Sequence, residues 1–224
     1  MFRSEDESPD YVLGMVRQLS KFLGKAFGLL KEEQYPAALE EIRAARQAYL
    51  ALPDPVIYNL PAEELLELFT VAGYLDVVKA LTLVEMCKAE GDALTLQGFQ
   101  SEGERAYLKG LDVLLGLFHL TGPTRFSPEI TSVETFDGLI EQPLPFETQA
   151  NLFVYYEEAG QLAQAAETLL ELGETAFEEI REEGRAFFER LRELDEGALA
   201  AGRLARAEAA AFEAEFLEMG NSRP

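Results

Sequence analysis

The chain has 224 residues, 41 acidic against 19 basic, and so carries a formal charge of −22 with 48% hydrophobic residues. That apolar content excludes a disordered chain, and one folded unit of this length buries roughly 70–75% of its unfolded surface. The charge repels phosphate backbones and anionic lipid heads, which excludes nucleic acid and membrane surfaces as general partners and leaves basic proteins or cations.

Cys87 is the only cysteine, so no intrachain disulfide forms, as expected in a reducing cytoplasmic compartment. The opening "MFRSEDESPD" is acidic and lacks the apolar stretch of a secretory signal. The most apolar run, "LDVLLGLFHL" at 111–120, is too short for a membrane span and carries Asp112. Arg is commoner than Lys, a bias that points to a GC-rich bacterial genome.

Alternation of apolar and polar residues is nearly absent, while i, i+3, i+4, i+7 spacing recurs from end to end; the expectation is an all-α fold. Asp10 is a plausible cap for a first helix whose apolar face comprises Val12, Met15, Val16, Leu19, Phe22, Leu23, Ala26, Phe27 and Leu30. A second helix starts at Tyr35 with Pro36 in its first turn and stops before "PDP" at 53–55. A third covers "LPAEELLELFTVA" at 60–72, with Pro61 and two acids at its start. Two more follow over 75–96 and 101–119, the second closed by His119, Thr121, Gly122 and Pro123. Residues 121–147 hold four prolines around one weak helix, "SPEITSVETFDGLIEQ", and read as a long connection inside a single domain, 1–224.

The stretch "AGQLAQAAETLLEL" at 159–172 defines a hairpin frame around Gly160, with Leu152 and Tyr156 before the turn and Leu162, Ala165 and Leu169 after it. The same frame at Gly202 selects Leu194, Ala198, Leu204, Ala207 and Ala211. At Gly98 it selects Glu90, Leu94, Gln100, Gly103 and Tyr107, and at Glu33 Lys25, Leu29, Tyr35, Ala38 and Ile42. A small residue five places after each turn lets two helices approach closely. Gly160 and Gly202 are therefore expected at turns, and Ala165 and Ala207 at close contacts.

The frame resembles the tetratricopeptide repeat, although its turns lie 65, 62 and 42 residues apart where that repeat has about 34. Three segments, "DYVLGMVRQLSKFLGKAFGL" (10–29), "LPAEELLELFTVAGYLDVVKAL" (60–81) and "LPFETQANLFVYYEEAGQLAQAAETLLEL" (144–172), resemble an uncharacterised bacterial family of tetratricopeptide-like proteins of unknown function. The resemblance implies an array of antiparallel helical hairpins with irregular spacing in a cytoplasmic bacterial setting, and no activity.

Catalytic chemistry finds little footing. His119 is the sole histidine, so the paired-histidine metal motifs are excluded; it reads as a helix-end residue, and Cys87 as a buried small hydrophobe. Carboxylates in "FEEIREEGRAFFERLRELDE" (177–196) read as i, i+3 ion pairs: Glu178 with Arg181, Glu182 with Arg185, Glu189 with Arg192. No phosphate loop, nucleophile elbow or calcium loop is present. No catalytic residue, metal site or cofactor is expected. The expected function is a non-enzymatic interaction module that takes a basic or amphipathic segment in a helical groove, with Val154, Glu157, Glu158, Glu196 and Leu199 on the groove side. The resemblance excludes a carboxylate-clamp version of such a groove, because Ala150, Val154, Arg192 and Glu196 stand where those domains carry Lys and Asn. The alternatives are a self-associating structural protein that forms a homodimer, and a small-molecule binder or enzyme without a recognisable motif.

Overall fold

The computed structural model describes residues 24–122 and 132–221. They form a helical protein with one two-stranded hairpin, so the fold is all-α. In chain order come α1 (over 24–31), α2 (Tyr35–Tyr49), α3 (Asp54–Asn59), α4 (Ala62–Leu68), β1 (Thr70–Val71), β2 (Tyr74–Leu75), α5 (Val77–Leu96) and α6 (Gln100–Thr121). After a 3-10 turn at Val133–Phe136 follow α7 (Phe146–Glu158), α8 (Leu162–Glu193), α9 (Glu196–Ala201) and α10 (Arg206–Asn221). The described residues group into two compact units, 24–121 with 132–143, and 122 with 144–221.

In the first unit α5 and α6 form an antiparallel hairpin around Gly98, whose φ of +88 is open to glycine without strain. The two backbones approach closely because a Cβ on Gly91 would lie 2.3 Å from the Tyr107 ring, and one on Gly103 the same distance from Thr95 Oγ1. Helix α2 packs on α5, α4 on α6, and the 3-10 turn on α6 through Phe136 beside Gly110. Leu83, Met86, Leu114 and Leu117 are fully buried at the centre, each such side chain contributing about 1.5–3 kcal/mol of transfer free energy. Glu33 adopts φ 58 at the turn between α1 and α2, the conformation the hairpin frame requires there of a non-glycine residue.

The remainder of the first unit departs from expectation in three places. The helix expected over 60–72 stops at Leu68, and Thr70 and Val71 pair with Leu75 and Tyr74 across Ala72 and Gly73, both at positive φ. β-branched residues disfavour helix, and two successive left-handed residues make the turn that matches strand twist. The helix from Tyr35 ends at Tyr49, after which Ala51 is left-handed and the "PDP" stretch starts α3, a helix absent from the sequence reading. Of the weak helix at 127–142, Val133–Phe136 is 3-10; residues 123–131 lie outside the described residues, as do Asp10 and the first-helix face up to Leu23. Of that face's remainder, Ala26 is buried, Leu30 half-buried and Phe27 exposed.

In the second unit α8 lies against both α7 and α10. Its core is a chain of phenylalanines: Phe153 meets Phe187 at 5.3 Å between ring centroids, Phe187 meets Phe188, and Phe216 of α10 touches Phe188 at 5.7 Å and Phe177 at 5.0 Å. Gly184 makes room for this stack, since a Cβ there would lie 2.2 Å from Phe216 Cζ. Helix α8 is broken at Ala176 (φ −138, ψ 47). Gly160 turns α7 into α8 at φ +73, and Ala165 is fully buried.

The Gly202 frame fails by one residue. Gly202 has φ −80 and Arg203 takes the left-handed position instead, so α10 begins at Arg206 and Ala207 is exposed rather than at a close contact. Gly202 is small for another reason: a Cβ there would meet Leu162 Cγ at 2.5 Å.

Candidate functional site

The five residues expected to face a partner all belong to the second unit. Leu199 is 1% exposed and part of the phenylalanine core, so it offers no surface contact; this overturns its place in the groove. Its burial follows from α9 being a single short helix whose one large apolar side chain is drawn inward. Val154 is half-buried and packs on the same core. Glu158 is exposed.

Glu157 and Glu196 are engaged within the chain. Arg190 of α8 donates Nε to Glu157 Oε1 at 2.7 Å and Nη2 to Glu157 Oε2 at 2.9 Å, while Nη2 also reaches Glu183 Oε1 at 2.8 Å. This paired, planar geometry is the strong form of the Arg–carboxylate contact, and the hydrogen bond to Glu157 raises the Arg190 pKa. Arg206 of α10 donates to Glu196 and to the Leu194 carbonyl. Both carboxylates thus already hold a guanidinium group of this chain.

Along α8, Arg181 pairs with Glu178 at 2.9 Å and Arg185 with Glu182 at 3.5 Å, as the spacing requires. Arg192 does not take Glu189 as its hydrogen-bond partner: it donates Nε and Nη2 to the two carboxylate oxygens of Glu213 of α10, and this contact raises its pKa. Beside this pair lies a cleft of about 180 Å³ bordered by Arg185, Phe188, Glu189, Glu213 and Leu217. Leu217 is 42% exposed there.

Sequence reasoning missed a buried polar group in the first unit. Arg46 of α2 is fully buried, with Nη2 2.7 Å from Glu90 Oε2 of α5, and Glu90 is itself 4% exposed. Tyr58 of α3 donates its hydroxyl to Glu90, and Arg46 and Arg105 lie 5.8 and 5.0 Å from the Tyr58 ring centroid. Burial opposes the charge on Arg46, but Glu90, Tyr58, Cys87 and Asp54 together more than offset it and the pKa rises; burial raises that of Tyr58. One signal was legible: Glu90 occupies the frame position held by Leu152 and Leu194 at the Gly160 and Gly202 turns, and a carboxylate at a core position requires a buried cation.

Cys87 lies fully buried next to this group, and burial pushes its thiol up to about 12, away from thiolate chemistry. His119 is exposed in the last turn of α6, where a cation suits the helix end, and Gly122 follows at φ +87. Among the described residues no group of three or more His, Cys, Asp or Glu is arranged to hold a metal ion, and no helix is long and apolar enough to cross a membrane.

No curated protein matches the chain, and no solved structure does. A family model matches residues 7–211, nearly its whole length. The chain thus belongs to a family of unknown function, DUF6483.

Proposed function

We propose that the chain is a non-enzymatic interaction module of tetratricopeptide-like type, working in a bacterial cytoplasm, that receives a basic or amphipathic partner segment on the α7–α8 face of its second unit. The observation that carries this reading is the Glu157–Arg190–Glu183 arrangement: carboxylates from two helices accept one guanidinium at 2.7 to 2.9 Å, the same contact an arginine of a partner would make. Exposed Glu158 adds charge beside it, and half-buried Val154 supplies an apolar edge. The net charge of −22 favours fast, salt-sensitive association with a basic segment and opposes nucleic acid and anionic lipid.

Calorimetric titration with an arginine-rich amphipathic peptide tests it. The wild-type chain should bind at low salt, and Glu157→Lys with Glu158→Lys should weaken binding by at least about tenfold, the loss expected when close opposite charges become like charges. Binding that survives the double change undiminished removes this face. A wild-type chain that ignores the peptide and elutes as a dimer supports self-association instead.

A further inference from the structure

A buried arginine ordinarily has its five N–H donors met. Arg46 does not: it is 0% exposed, yet Nε and Nη1 have no acceptor, and Nη2 is close to Glu90 without the alignment of a hydrogen bond. Glu90 is committed elsewhere on the same oxygen, which also accepts from Tyr58. The other carboxylate within reach is Asp54 of α3, 3.5 Å from Arg46 Nη2 and 3.4 Å from Nε of Arg43. Both separations are long for charge-assisted hydrogen bonds, which run at about 2.7–2.9 Å.

Further cations stand around α3. Arg105 of α6 lies over the Tyr58 ring, and Lys109 of α6 donates to the carbonyl of Leu60, the residue that ends α3. Four cationic side chains from α2 and α6 thus gather at a six-residue helix, in a chain whose overall charge is −22. Asp54 is 39% exposed and Arg43 55%, so solvent reaches the mouth of the group while Arg46 forms its floor.

We propose that Asp54 is a placeholder, and that Arg43 and Arg46 beside α3 form a binding site for a small oxyanion, a carboxylate or a phosphate. Such an anion displaces the Asp54 side chain outward, bridges the two guanidinium groups, and supplies oxygens to donors that Asp54 leaves unmet. The site lies in the first unit and is independent of the acidic face proposed for the second.

Calorimetry of the full chain with inorganic phosphate and with acetate, each against chloride at equal ionic strength, tests the proposal. At least one oxyanion should bind beyond chloride, and which one does identifies the ligand class. Arg43→Gln should weaken that binding about tenfold, the loss expected of one charge-assisted hydrogen bond. Asp54→Asn should tighten it, because the competing carboxylate is gone. Both side chains are solvent-accessible, so the variants keep the fold; should Asp54→Asn melt early, Arg43→Gln decides alone. If neither anion exceeds chloride in the wild type or in Asp54→Asn, or if Arg43→Gln binds as the wild type does, the site is refuted.

Discussion

The Arg46–Glu90 pair and the Arg190–Glu157 pair join the same two side chains in opposite surroundings. In the first unit both partners are under 5% exposed and lie among Cys87, Tyr58 and the α2–α5 contact. In the second the pair lies at the surface, Arg190 46% exposed, over a core built from phenylalanine rings. Burial removes the water that would otherwise solvate an unpaired charge, so the first unit depends on charge matching and the second on volume matching. A single changed charge at such a pair should therefore cost more in the first unit than in the second.

The largest effect is expected at the buried pair. Arg46→Met leaves the Glu90 carboxyl in the core without its cation and with only the Tyr58 hydroxyl against it, and should cost about 3–5 kcal/mol in urea unfolding. Arg46→Met with Glu90→Leu should recover much of that loss, since removing both charges removes the desolvation penalty of each. In the second unit Arg190→Gln should cost only about 0.2–1 kcal/mol and less still at high salt. Equal losses for Arg46→Met and Arg190→Gln would end the distinction between the units.

Volume within the second unit tests the hairpin frame. Ala165→Leu inserts three carbons into a fully buried position against the phenylalanine core, for an expected cost of about 1–3 kcal/mol. Ala207→Leu, which the frame treats as equivalent, should stay within about 0.5 kcal/mol because the residue is exposed. A cost at Ala207 matching that at Ala165 would restore the original register at Gly202.

The contrast between those two alanines shows which part of the fold local sequence carries. Helix periodicity, Gly98 and Gly160 at positive φ, and the buried small residues Ala38, Gly103 and Ala165 follow from spacing that any isolated hairpin would need. Gly202 looks identical in sequence but is small because Leu162 of another helix presses on it, a tertiary cause that no local pattern reports. The same holds for the site residues. Leu199 was placed outward by register and is pulled inward by the core, and Arg192 chooses Glu213, 21 positions away, over Glu189. Helix α3 was missed because its six residues lie between prolines, too few to show a period.

Glu85 gives the smallest and most specific test of charge matching in the first unit. It is half-buried on α5, and burial raises its pKa above the ordinary 4.5, with Lys88 opposing and Asp92 adding to the shift. A carboxyl whose folded pKa lies above its unfolded one binds its proton more tightly in the fold, so its stabilising contribution is complete below about pH 4.5 and is lost as pH rises through the folded value. At pH 7 the half-buried carboxylate is therefore a cost that Lys88 offsets only in part. Glu85→Gln, neutral throughout, should be more stable than the wild type at pH 7, and the difference should shrink toward pH 4, where both side chains are neutral. Glu178→Gln on the open face of α8, 63% exposed, should shift stability by less than about 0.5 kcal/mol at either pH. Urea midpoints for the two variants and the wild type at both pH values separate these expectations. A Glu85→Gln chain less stable than the wild type at pH 7 would mean that Lys88 meets the carboxylate better than burial penalises it, and that surface-like pairing extends into the first unit.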